Sequence, residues 1–152
     1  MTSTINKEEI QKFSKLADEW WDVNGKFKPL HMFNPIRIEY ITEKIKQHFK
    51  IKDNNSNFLK GLNILDIGCG DGTLMEYLKK NQKNDVRGLE PKKDLVEKCI
   101  SKGLSVIEGD AEKELIQFPK KSFDYVVLSQ TLQAFRYPNE VLDQLLRIGK
   151  QT

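Results

Sequence analysis

Ile64-Leu65-Asp66-Ile67-Gly68-Cys69-Gly70-Asp71-Gly72 decides the fold of this chain. Leu62 to Ile67 is a short apolar, β-rich run that enters a loop with glycine at every second position. Thr73 to Lys80 leaves the loop as a helix with Leu74, Met75 and Leu78 facing inward. Glycines accept the dihedrals of such a turn and present no Cβ to block a ligand. The N–H groups at the start of the following helix are left pointing at a ligand's carboxylate or phosphate. The same residues also fit a plain strand-to-helix turn that Asp66 caps. The spacing is GxGxG, because position 73 is Thr and the third glycine falls at 72. It is therefore not the GxGxxG of dinucleotide-binding folds.

Working outward, strands and helices alternate. Val86 to Glu90 reads as a second strand, and Asp94 to Lys102 as a helix (Leu95, Val96, Cys99, Ile100 inward) stopped by Gly103. Leu104 to Glu108 is a third strand, Ala111 to Gln117 a short helix, and Phe123 to Ser129 a strongly apolar fourth strand. A last helix starts at Pro138, buries Val141, Leu142, Leu145 and Leu146, and ends near Gly149. This alternation predicts an α/β fold of βαβ units with a parallel sheet and right-handed crossovers. Toward the N-terminus, Ile10, Phe13, Leu16, Ala17 and Trp20 recur at helical spacing until Val23-Asn24-Gly25 breaks the pattern. A linker through Lys28-Pro29-Leu30-His31 leads to Asn34-Pro35, a good helix start, followed by the stripe Ile38, Ile41, Ile45 and Phe49. The organisation expected is a helical lid segment over 1–51, a polar linker over 52–61, and a nucleotide-binding-type half-domain over 62–152.

Composition narrows the function classes. With 25 Lys and Arg against 22 Asp and Glu in 152 residues, the net charge is only +3 and the basic residues are dispersed. A nucleic-acid footprint needs a denser basic stripe, so no nucleic-acid partner is expected. Cys69 and Cys99 have neither CxxC nor zinc spacing, and no His, Cys, Asp and Glu cluster has metal spacing, so free thiols and no metal are expected. The N-terminal nine residues are polar, and no apolar run nears the ~18 residues of a membrane span. The expected location is the cytoplasm.

The GxGxG loop, with Asp66 on the strand before it, resembles motif I of class I S-adenosyl-L-methionine (SAM)-dependent methyltransferases. Glu90 ends the second strand, where an acid accepts bonds from both ribose hydroxyls and disfavours a 2′-phosphate. Gly109-Asp110-Ala111 follows the third strand, where that family reads the adenine edge, and Phe123 to Ser129 resembles its fourth strand, whose end lines the transfer pocket. The resemblance implies SAM as cofactor, with Asp66, Gly68, Gly70, Gly72, Glu90, Asp110, Ala111 and Ser129 around it. It implies a Rossmann-like fold, stopping here after the fourth strand and its helix, with strand order 3-2-1-4 and a cofactor crevice between strands 1 and 4. Strand 4 would then be an edge with Val126, Val127 and Leu128 poorly covered, a route to self-association.

Two closer likenesses imply different acceptors. Phe13, Leu16-Ala17, Trp20-Trp21-Asp22, Gly25-Lys26-Phe27-Lys28-Pro29-Leu30-His31 and Asn34-Pro35-Ile36-Arg37 with Tyr40-Ile41 resemble the N-terminus of ubiquinone-biosynthesis O-methyltransferases. That resemblance implies a lid near the cofactor, Arg37 touching SAM, and a hydroxylated polyprenyl-benzene acceptor. From about Leu62 to Gly149, Gly68-Cys69-Gly70-Asp71-Gly72-Thr73-Leu74, Val106-Ile107-Glu108-Gly109-Asp110 and Phe123-Asp124-Tyr125-Val126-Val127-Leu128-Ser129-Gln130-Thr131-Leu132-Gln133-Ala134 look like methionine-biosynthesis proteins of MetW type. That likeness implies a SAM-binding protein working with a homoserine acyltransferase; a truncated, inactive remnant is a further alternative. No catalytic base is assigned. His31 fits a base or a hydrogen-bonded loop residue, and Leu132-Gln133-Ala134 stands where the quinone enzymes carry Leu-Glu-His. Trp20-Trp21 and Phe27 fit helix packing, an apolar acceptor channel, or peripheral membrane contact.

Overall fold

The computed structural model describes residues 11–12, 15–16, 19, 22, 24–52, 59–80 and 84–150. The chain divides into two compact units, Met1–Lys44 and Ile45–Thr152. In the first, residues 11–12, 15–16 and 19 are helical. The inward positions Ile10, Phe13, Ala17 and Trp20, and Trp21 beside them, lie outside the described residues, and Leu16 is exposed. The segment expected as a linker contains a short helix, α1 (Lys28–Met32). Pro29 is no obstacle there, since the first helical turn has no intrahelical use for its N–H. α2 (Asn34–His48) follows and runs across the division between the units. Its stripe is as expected: Ile38 and Ile45 are buried and Ile41 half-buried, with Phe49 half-buried just beyond. Of the expected polar linker, 53–58 lie outside the described residues, and Leu59 is buried.

The second unit is built on β1 (Asn63–Ile67), α3 (Thr73–Lys80), β2 (Asp85–Glu90), α4 (Lys93–Ser101), β3 (Ser105–Glu108) and α5 (Ala111–Glu114). β4 (Tyr125–Leu128) and α6 (Pro138–Ile148) complete it. The four strands pair in the order β3-β2-β1-β4, all parallel. The parallel sheet is what the alternation predicts, and its order is the Rossmann-like one that the resemblance to class I methyltransferases implies. β1 is covered on both faces, which is why it reads as a continuous apolar run rather than an alternating one. Ile64, Leu65 and Ile67 are each within 1% of full burial, and each contributes about 1.5–3 kcal/mol. α4 ends in a Schellman motif: Gly103 has φ +75°, its N–H bonds Ile100 O at 2.9 Å, and Leu104 N–H bonds Cys99 O at 3.0 Å.

The sequence over-counted the buried apolar positions. Ile100 is 58% exposed, and Leu142 and Leu146 are 38% and 56% exposed. The α6 face that packs carries Val141 and Ile148, with Leu145 partly buried against the same core. The β4 edge is also better covered than expected. Val127 is buried, and Val126 and Leu128 pack on the core with Phe118, Phe135 and Leu145. The barer edge is β3, where Ile107 is exposed. Beyond α6, Gly149 forms a parallel bridge with Phe123, and Lys150 N–H bonds Phe123 O at 2.8 Å. Lys150 Nζ also reaches Asp124 Oδ1 at 2.7 Å, tying this segment to the start of β4.

Candidate functional site

The C-terminal ends of parallel strands are where α/β sheets bind ligands, at the point where strand order reverses. Here β1 lies between β2 and β4, and the chain turns back at its end. Gly68, Gly70 and Gly72 have φ of +68°, +58° and +81°, so the loop needs residues that accept left-handed backbone. The three glycines do different work. A Cβ on Gly68 would lie 2.5 Å from Thr131 Oγ1, so bare backbone lets the segment after β4 close on the loop. A Cβ on Gly72 would lie 2.5 Å from Leu104 Cδ1 and 2.9 Å from Cys99 Sγ, so this glycine seats α3 against its neighbours.

The loop is fastened to β2. Gly68 N–H bonds Leu89 O at 2.8 Å, and Gly70 N–H bonds Glu90 Oε2 at 2.9 Å. Glu90 is 6% exposed, and its other oxygen, Oε1, accepts from Lys92 N–H at 3.1 Å. Two backbone donors aimed at its two oxygens satisfy this polar side chain at such depth. The loop's own N–H groups are also more occupied than the sequence suggested. Thr73 N–H and Oγ1 both bond Asp71 Oδ1, at 3.1 and 2.7 Å. Asp66 is buried on β1, directly beside Gly88 and Val127 in the sheet register.

Cys69 and Cys99 are both buried free thiols around this loop, and Cys99 Sγ lies 3.3 Å from Gly70 O. Burial pushes the Cys69 thiol up, and the neighbouring Asp66, Cys99 and Glu90 push it further. Burial also raises Cys99. Neither is set up as a nucleophile, which needs an accessible thiolate.

A cleft of about 320 Å³ opens at this end of the sheet. Ile67 and Gly68 from β1, Leu89 and Pro91 around the end of β2, and Asp110 and Ala111 after β3 line it on one side. Thr131, Phe135 and Arg136 from the segment after β4 line it on the other. Its size is within the range of small-molecule sites. Asp110 caps α5, its Oδ1 accepting from Glu112 N–H at 3.0 Å, and Ala111 is buried behind it.

Of the residues the sequence pointed to, Gly68, Asp110 and Ala111 line the cleft. Glu90 stands beside its lining residues Leu89 and Pro91 and holds the loop. Asp66, Gly70 and Gly72 are buried and are not among the residues that line it. Ser129 is half-buried and not part of the lining; its carbonyl accepts from Thr131 Oγ1 at 3.0 Å, and Thr131 takes the place expected of it. Arg37 and His31 belong to the first unit. The sequence marks Thr131 only within a resemblance and does not single out Phe135 or Arg136. Among the described residues, no group of three His, Cys, Asp or Glu is placed to hold a metal ion. No described helix is long and apolar enough to cross a membrane.

The family model described as methionine biosynthesis protein MetW matches residues 47–152, the whole of the sheet and its cleft. The chain belongs to the MetW family. Its fold is that of SAM-dependent methyltransferases. One such enzyme from Archaeoglobus fulgidus superposes with a TM-score of 0.56 at 22% identity, over 80% of this chain and 53% of that one. The PH0226 protein from Pyrococcus horikoshii gives 0.62 at 23% identity, over 91% of this chain and 61% of that one. This MetW-family chain is also similar to ubiquinone biosynthesis O-methyltransferases. It is 62% identical over 74 residues to that of Pelagibacter ubique, 49% of this chain and 30% of the relative. It is 49% identical over 78 residues to that of Sinorhizobium medicae, 51% of this chain and 32% of the relative. The chain thus spans about a third of the length of these curated relatives.

Proposed function

We propose that the cleft at the ends of β1, β2 and β3 binds SAM and that the protein is a SAM-dependent methyltransferase acting on a small-molecule oxygen. The observation that carries this reading is the 2.9 Å bond from Gly70 N–H to Glu90 Oε2, which fastens the glycine loop to the acid of β2 directly beside the cleft that Gly68, Leu89 and Pro91 line. Each Glu90 oxygen accepts one backbone bond and retains acceptor capacity for a sugar hydroxyl. Gly68 supplies bare backbone, and Asp110 and Ala111 face the base. Asp66, Gly70 and Gly72 hold these groups in place, and Ser129 acts through Thr131. SAM supplies an activated methyl group on a sulfonium. The chain's share of catalysis is orientation, since a near-attack geometry is worth up to about 7–11 kcal/mol in intramolecular models.

The acceptor class we favour is a hydroxylated polyprenyl-benzene of ubiquinone biosynthesis, supported by the names of the relatives at 49–62% identity. The second reading is a SAM-binding partner of a homoserine acyltransferase in methionine biosynthesis, supported by the family match over 47–152. Turnover of demethylated quinone precursors with methyl-labelled SAM distinguishes them. Labelled product supports the enzyme. No product, together with co-purification of an acyltransferase, supports the partner. Binding of NAD in preference to S-adenosylhomocysteine in calorimetry would overturn both.

A further inference from the structure

The segment after β4 forms the far wall of the cleft, and its two ends are fastened differently. At its start, Gln130 has φ +57°, a backbone conformation that a residue with a side chain adopts at a cost. Thr131 then packs on Gly68, and its Oγ1 donates to Ser129 O at 3.0 Å and leans toward Ile67 O at 3.4 Å. A 3-10 turn over Leu132–Ala134 carries the chain to Phe135 and Arg136, both cleft-lining. At the far end the backbone N–H of Tyr137, the residue before α6, donates to Glu112 Oε1 at 2.7 Å. The Arg136 guanidinium lies 5.4 Å from the centre of the Tyr137 ring.

Glu112 itself sits on α5, one residue beyond Ala111, on the opposite wall. The Glu112–Tyr137 bond is therefore a direct link between α5, on one wall of the cleft, and the end of the segment that forms the other. We propose that Glu112 is a positioning residue that holds Phe135 and Arg136 as the outer wall of the cofactor cleft and so sets cofactor affinity. The proposal rests on the reading of this cleft as a SAM site. Glu112 need not touch the cofactor. It acts through a backbone N–H, and because only an acceptor is required, a neutral amide oxygen in the same place serves as well.

Three variants test this: Glu112→Ala removes the acceptor, Glu112→Gln keeps it, and Lys113→Ala, exposed on the same short helix, is the control. Two readouts are taken: hydrogen exchange at the Tyr137 amide, and the dissociation constant of S-adenosylhomocysteine by calorimetry. Loss of one backbone-to-side-chain hydrogen bond at an exposed site weakens the ligand by about three- to tenfold. Glu112→Ala is expected to speed Tyr137 exchange and weaken binding by that factor, while Glu112→Gln stays near wild type on both and Lys113→Ala changes neither. Wild-type affinity in Glu112→Ala, or a Glu112→Gln variant as weak as Glu112→Ala, overturns the proposal. Absence of S-adenosylhomocysteine binding in the wild type defeats the cofactor reading and the affinity role with it. The exchange measurement then still reports whether Glu112 holds the wall.

Discussion

Replacing Glu90 by Gln is the most discriminating single change at the site. The side chain is isosteric, so packing is preserved, but the acceptor pattern is not. Glu90 takes Gly70 N–H on Oε2 at 2.9 Å and Lys92 N–H on Oε1 at 3.1 Å. A glutamine accepts one of these and presents its NH₂ to the other, so one backbone donor loses its partner and meets a second donor. Hydrogen bonds to charged groups contribute roughly 1.5–3 kcal/mol, and stranding a buried group costs about 1–3 kcal/mol. Gly70 is buried, while Lys92 is half-buried and can recruit water, so the amide is expected to face Lys92 with its NH₂. The expected loss is then about 1–3 kcal/mol for Glu90→Gln and about 2–4 kcal/mol for Glu90→Ala, which strands both donors. Urea unfolding in the absence of ligand reads this directly, and the ligand-free comparison separates loop anchoring from cofactor contact. A Glu90→Gln variant within about 0.5 kcal/mol of wild type, the scatter of ordinary surface changes, would refute the loop-anchoring role.

Gly72→Ala forces an L residue into φ +81° and drives a methyl to within 2.5 Å of Leu104 Cδ1. The two penalties together are about 2–4 kcal/mol, measured as a shift of the urea midpoint. Asp124 gives a pH signature. Burial works against its charge, but the Asn63 N–H and the Lys150 ammonium outweigh it and hold the carboxyl below its usual range. A depressed folded-state value means that the stabilisation is complete above the unfolded value and disappears as pH falls through the folded one. Asp124→Asn is accordingly expected to be less stable than wild type near neutrality, and the gap should close in acid. A gap that is constant with pH would show that the carboxylate's charge is not what ties Lys150 to β4.

The βαβ core was legible because its signals are local. The period changes at Leu62, the glycines at 68, 70 and 72 demand left-handed backbone, and Gly103 closes α4 through bonds that reach no farther than Cys99. What the sequence hid depends on partners distant along the chain. The wall of the cleft hangs on a side chain at 112 meeting a backbone N–H at 137, and no local residue pattern encodes a bond to a peptide group 25 residues away. Ser129 reads as the end of the fourth strand, but the left-handed Gln130 turns the chain so that Thr131 faces Gly68 instead. Helix periodicity marks an apolar stripe without giving its width, so Leu142 and Leu146 were counted with Val141 although they lie outside the packed face. α1 was missed because Pro29 reads as a linker residue until its place in a first helical turn is known.

The central claim is that one cleft, at the ends of β1, β2 and β3, receives the cofactor. Titrating uniformly ¹⁵N-labelled protein with S-adenosylhomocysteine tests it most directly, because each lining amide reports separately. The largest shifts are expected at Gly68, Asp110, Ala111 and Thr131, with Glu90 next to them. A second groove, lined by Tyr125, Val126, Leu145 and Leu146, should stay unchanged. No shifts at saturating ligand, or shifts confined to that second groove, would contradict the account.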